Sequence, residues 1–186
     1  MRWLEQLRLR SKLWILGGLG IAGMVVVSAL AVSHLHDTLL EDRKAMVRRL
    51  VESTHSLGAH YHRRAQEGAM TPEAARRAAK AAVRKLRYGD KQYFWINDLQ
   101  PAMVMHPFKP KLNGQDLSGV TDPTGKPLFV AMADRVQAQG AGFVHYQWPK
   151  PGFEEPVPKV SYVQGFEPWG WVIGSGVYVD DVEAKF

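Results

Sequence analysis

In residues 93–107, YFWINDLQPAMVMHP, the hydrophobic period of the chain changes from about 3.6 to about 2. YFWIND reads as a strand, LQP as a turn and AMVMHP as the returning strand. Lys109 to Pro127 is a loop rich in Gly, Pro and Asp, and LFVAMADRVQAQ (128–139) is a short helix ended by Gly140. Three further strands follow: GFVHYQW (142–148), KVSYVQGF (159–166) and WGWVIGSGVYV (169–179). The Pro-rich segment 149–158 joins the first two, and FEPWGW (166–171) reads as a turn into the last. The final DDVEAKF (180–186) begins another helix.

Upstream the pattern is helical. Leu35, Leu39, Met46, Leu50, Thr54, Leu57 and Tyr61 recur at helical spacing between charged residues, predicting one amphipathic helix from about His36 to Glu67. Gly68 ends it. Thr71-Pro72-Glu73 supplies an N-cap and a first-turn proline for a second, Ala-rich helix that stops at Gly89-Asp90. Two leading helices on one antiparallel sheet define an α+β domain.

Before these helices, LWILGGLGIAGMVVVSALAVS (13–33) carries no charge. At ~1.5 Å per residue it is long enough for a ~30 Å hydrocarbon core. Arg2, Arg8, Arg10 and Lys12 precede it. Such a basic leader stays in the cytoplasm and places the rest outside. The expected organisation is a leader at 1–12, a transmembrane helix at 13–34 and an extracytoplasmic domain at 35–181. Residues 182–186 then start a helix toward a second span that the chain does not include. Ala29-Leu30-Ala31 offers a signal-peptide cleavage site instead. The length of the apolar run and its unbroken helical pattern favour a retained anchor.

The 186 residues include no cysteine, which rules out disulfides, thiolate metal sites and a Cys nucleophile. The formal net charge of +6 is concentrated in the leader and the two helices, and no nucleic-acid recognition module accompanies it. Solvated helix faces near anionic lipid account for it better. No HExxH, GxSxG, Walker loop or dinucleotide fingerprint is present, so neither an enzyme nor a cofactor is expected. His34/His36 and His60/His62 are pairs two residues apart that diverge on a helix, and His55 falls on its charged back. They read as solvated histidines and not as metal ligands.

The strands interleave aromatics with donors. Tyr93 and Trp95 share a face, as do Tyr146 and Trp148; His106, Lys159, Tyr162 and Arg87 lie on or beside strands. Strand aromatics are mostly core. A pocket built from these groups, though, would hold Arg, Lys, His and Tyr donors and no carboxylate, and its complement is a small anion. Lys159 and Tyr162 cannot face the same way on a regular strand, so sharing a pocket would require a bulge.

Across Ser53 to Asp181 the motifs come in a distinctive order: Arg87-Tyr88, Tyr93-Phe94-Trp95, His106-Pro107, Gly114-x-Asp116, Asp122-x-x-Gly125, Tyr146-x-Trp148, Pro158-Lys159-x-Ser161-Tyr162 and Gly176-x-Tyr178-x-Asp180-Asp181. In this the chain resembles the single Cache domain, type two, of bacterial chemoreceptors. The resemblance implies a PAS-like, five-stranded antiparallel sheet behind a long N-terminal helix, set in the periplasm on an inner-membrane anchor. It also implies a sensor of two- or three-carbon acids such as acetate, propionate, lactate or pyruvate, coupled to a cytoplasmic signalling module. The motifs carry over Lys159 as a buried cation and Arg87 as a carboxylate partner or structural ion pair. They make Tyr93, His106 and Tyr162 donors, and Trp95, Tyr146 and Trp148 walls. A tethered or secreted small-anion or partner-binding module without signalling output is the alternative.

The apolar stripe of the long helix is further expected to form a homodimer seam. At a ceiling of ~1.5 kcal/mol per heavy atom, acetate binds with a dissociation constant of roughly tens of micromolar at best.

Overall fold

The computed structural model describes residues 9–89 and 91–183. The first eight residues of the expected leader and the last three of the expected C-terminal helix lie outside the described residues. The chain divides into two units, Met1–Leu39 and Leu40–Phe186.

The described part of the first unit is the start of α1 (Leu9–Gln66). Its Leu19, Met24, Val25, Val27 and Leu30 are more than half exposed, which water does not tolerate over so long a run. This helix is long and apolar enough to cross a membrane.

In the second unit α1 and α2 (Pro72–Lys85) precede six strands. These are β1 (Arg87–Tyr88), β2 (Gln92–Asp98), β3 (Met103–Met105), β4 (Ala141–Pro149), β5 (Pro156–Phe166) and β6 (Trp171–Tyr178). The order is β1-β2-β6-β5-β4, with β3 also pairing β2, and all pairings are antiparallel. α3 (Leu128–Gln139) lies between β3 and β4, and α4 (Asp180–Glu183) follows β6. Thr71 caps α2 as its sequence predicts, accepting the Ala74 N–H at 3.2 Å. α2 ends earlier than expected, at Lys85, because Arg87 and Tyr88 pair with Tyr93 and Gln92 as the short strand β1.

The sheet separates two cores. One face packs on α1 and α2 through Phe94, Ile96, Tyr162, Phe166, Ile173 and Val177. The other carries Tyr93, Trp95, Val144, Tyr146, Val163 and Val172 beneath α3 and the loop containing Leu117. The line of α1 buried on the first face is Val47, Val51, Thr54 and Gly58. Thr54 belongs to both this line and the expected stripe, while Val47, Val51 and Gly58 take the deepest places from their neighbours Met46, Leu50 and Leu57, because small and β-branched residues let the helix approach the sheet closely. Met46, Leu50, Leu57 and Tyr61 flank it, packed on the same core. From Met46 to Tyr61 the stripe expected to form a dimer seam therefore covers the chain's own sheet. His55 and His62 are half-buried, and each meets the Phe166 ring edge-on, at 5.2 and 6.1 Å between centroids.

Candidate functional site

Lys159 decides the chemistry of the face turned away from α1. It pairs across the sheet with Tyr146 on one side and Tyr178 on the other, so these three side chains form a row. Trp95 pairs with Gly174 on the same face. A Cβ at Gly174 would fall inside the Trp95 indole, and one at Gly176 would strike Ser161 Oγ. The Gly174-Ser175-Gly176 segment thus lets Trp95 lie flat over the sheet and form a floor.

The Lys159 side chain is 2% exposed. Its Nζ donates to the hydroxyls of Tyr93 (3.2 Å) and Tyr178 (3.4 Å). It also lies 4.5, 5.3 and 4.7 Å from the ring centroids of Tyr93, Trp95 and Tyr178. Among the described residues no carboxylate reaches it within ion-pair distance. Aromatic faces offset part of the cost of burying a cation, but an unpaired ammonium in such a place remains expensive. Burial, aided by the charge of Lys109, lowers its pKa to about 7.

A cavity of about 290 Å³ opens beside this cage, lined by Tyr93, His106, Phe108, Lys109, Trp148 and the β4–β5 hairpin from Pro149 to Glu154. His106 is buried, and its Nδ1 accepts the backbone N–H groups of Phe108 (3.2 Å) and Lys109 (3.0 Å). The neutral ring therefore carries its proton on Nε2 and is a donor there. Burial and the charges of Lys159 and Lys109 push its pKa down to about 3, so it stays neutral at physiological pH. The Tyr178 hydroxyl donates to the Pro149 carbonyl at 2.9 Å. Of the two phenols on Lys159, Tyr93 alone retains a proton for an acceptor in the cavity; burial raises its pKa to about 12. Phe129 meets Trp148 edge-on at 5.7 Å and backs this wall. The resulting niche has aromatic walls, the buried cation of Lys159 beneath it, neutral donors in Tyr93 and His106, and Lys109, Lys150 and Glu154 at its lining, so cations outnumber the one acid and the balance suits a small carboxylate.

Not every residue named from the sequence reaches this niche. Tyr93, His106 and Trp148 line the cavity and Lys159 lies under it. Trp95 is floor only, its indole N–H spent on Asn97 Oδ1 at 3.1 Å. Tyr146 is buried with its hydroxyl on Ser161 Oγ at 2.9 Å, a support beside Lys159. Tyr162 lies on the opposite face: the register of β5 is regular, and its ring packs on Phe143 below Arg48. Arg87 is exposed, bonded to the carbonyls of Arg84 and Leu86, with its guanidinium 4.9 Å from the Phe108 centroid. It supports a rim residue from outside. Sequence reasoning did not single out Tyr178, Phe108 or Lys109. Tyr178 stands in the Gly-x-Tyr motif, but its place beside Lys159 depends on a strand register that the sequence does not print.

A PAS-like sheet with a long helix on one face and a small donor-lined niche on the other is the architecture of a ligand-sensing domain. The chain belongs to the single Cache domain 2 family, whose model matches residues 39–186. It is 44% identical over 186 residues to the methyl-accepting chemotaxis protein McpP of Pseudomonas putida, covering all of this chain and 34% of that protein. The chain thus spans about a third of that relative's length. A solved periplasmic sensor domain of a chemotaxis protein is 56% identical, with a TM-score of 0.75 over 76% of this chain and 98% of that one. A Cache chemosensory domain solved for the structural basis of carboxylic acid recognition is 48% identical, with a TM-score of 0.74 over 78% and 99%.

Proposed function

We propose that this chain is the sensing part of a chemoreceptor or related transmembrane sensor, anchored in the inner membrane with its Cache domain in the periplasm. Its ligand is a two- or three-carbon monocarboxylate of the acetate, propionate, lactate or pyruvate type. The observation that carries this reading is the caged Lys159, a buried ammonium beside a small cavity and, among the described residues, without a carboxylate partner. The acid carboxylate pairs with Lys159 and accepts from Tyr93 and the Nε2–H of His106, while its short alkyl end meets the Trp148–Phe129 wall. The likeness to a chemotaxis protein and to a carboxylate-recognising Cache domain supports the same reading. The output comes from a cytoplasmic signalling module in the whole protein.

The test is titration calorimetry of the 186-residue chain in detergent micelles, refolded to remove carried-over ligand, against acids of two to four carbons. Saturable heat at micromolar to millimolar acid is expected. The absence of heat or thermal shift with every acid overturns the reading.

A further inference from the structure

The hairpin that walls the niche is also clamped to the exit of the domain. Lys150, next to the pocket-lining Pro149, places its Nζ 2.7 Å from Asp180 Oδ2 and 2.6 Å from Asp181 Oδ1. These two acids open α4, the segment that follows β6. The Lys150 side chain is 24% exposed, and its Nζ also lies 5.6 Å from the Tyr178 ring centroid. The same tyrosine holds Lys159 by its hydroxyl and ring, and it donates to the Pro149 carbonyl. One side chain therefore touches the buried cation, the hairpin and the lysine that grips α4. Among the described residues the buried Asp180 Oδ1 finds no hydrogen-bond partner, so the ordering of this carboxylate depends on Lys150. Inside the hairpin, the Phe153 N–H donates to the Lys150 carbonyl at 3.0 Å, and this amide reports whether the turn is formed.

We propose that Lys150 is the positioning residue that couples occupancy of the niche to the start of α4, through its paired grip on Asp180 and Asp181. This rests on the monocarboxylate reading above. An exposed ion pair contributes little to stability, and the role of this one is geometric. An acid seated on Lys159 fixes Tyr178 and the hairpin wall, and Lys150 transmits that placement to Asp180 and Asp181. Coupling is reciprocal: whatever factor the acid adds to the clamped state, the clamp adds to acid affinity.

Hydrogen exchange of the 186-residue chain in micelles, with and without propionate, tests this on Lys150→Met, on the Asp180→Asn/Asp181→Asn pair, and on Lys150→Arg as the conservative control. In the unsubstituted chain propionate slows exchange across 179–181 by at least about fivefold. Lys150→Met abolishes that slowing while propionate still binds, with affinity reduced by the same factor, and Lys150→Arg restores both. Without ligand, the Asp180→Asn/Asp181→Asn pair speeds exchange at the distant Phe153 amide, and adding Lys150→Met speeds it no further. A Lys150→Met chain whose 179–181 segment still responds fully to propionate overturns the proposal. So does a Phe153 amide indifferent to the two aspartates, whether or not acid binds. If the unsubstituted chain takes up no acid, the monocarboxylate reading fails instead, and the Phe153 result still decides the clamp.

Discussion

The ammonium of Lys159 and the phenol of Tyr93 meet twice: Nζ is 3.2 Å from the hydroxyl and 4.5 Å from the ring centroid. The phenol thus holds the cation both as acceptor and as π-face, while its own proton remains for a ligand. Most of what this domain is expected to do follows from that contact.

Replacing the cation tests its role directly. Lys159→Met keeps the length of the side chain and removes the charge. Calorimetry is expected to show complete loss of acid binding. The ligand-free melting temperature at pH 6 is expected to be unchanged or higher, because an unpaired buried charge is replaced by an apolar side chain of similar size.

Acid affinity should depend on pH with a defined sign. Binding needs the charged ammonium, and without ligand Lys159 has a pKa of about 7. Affinity is therefore flat below pH 7 down to the acid's own titration, and falls by up to about tenfold per unit above it. At pH 8 close to one proton is taken up per acid bound. Calorimetry in buffers of different ionisation enthalpy measures this, and heats independent of buffer would contradict it.

The same group affects stability. Its folded pKa is about 7 against an ordinary value of 10.5, so between these values the unfolded chain holds more protons. From this group the ligand-free domain gains stability as pH rises through that window, by at most ~1.4 kcal/mol per unit. His106 acts in the same sense lower down, with a folded pKa of about 3 against 6.5, so acidification through that range destabilises the domain. Denaturant midpoints taken at pH 4, 6 and 8.5 should rise in that order.

Two tyrosines separate the faces of the sheet. Tyr93→Phe removes the hydroxyl that faces the cavity and is expected to weaken acid binding by about tenfold, the effect of one hydrogen bond to a charged group. Tyr162→Phe, on the α1 face, should leave affinity unchanged within about twofold. Equal losses in the two variants would show that the sheet faces are wrongly assigned.

Gly174→Ala tests the floor. The added methyl falls on the Trp95 indole, which cannot retreat from a packed core. A loss of about 1–3 kcal/mol in denaturant unfolding is expected, with quenched or shifted tryptophan fluorescence.

Local features of this molecule were legible from the chain alone because their causes are local. Thr71 before Pro72 caps α2, and Gly140 takes a φ of +75° to end α3. Alternation in YFWIND puts Tyr93 and Trp95 on one face without reference to any neighbour. Lys159 as a buried cation was implied by the Pro158-Lys159-x-Ser161-Tyr162 motif and its family resemblance, and not by the spacing of the residues themselves. Whatever required register or docking was not legible. That Tyr146 and Tyr178 flank Lys159 follows from pairings between strands far apart in the chain, and so does the placement of Tyr162 behind the sheet. The exposure of Arg87, the deep burial of Val47 and Val51 on α1, and the Lys150 grip on Asp180 and Asp181 belong to the same class. Hydrophobic period and capping act over a few residues and are written in order. The meeting of distant side chains is set by which packing buries the most surface without stranding a polar group, and only the folded chain resolves that choice.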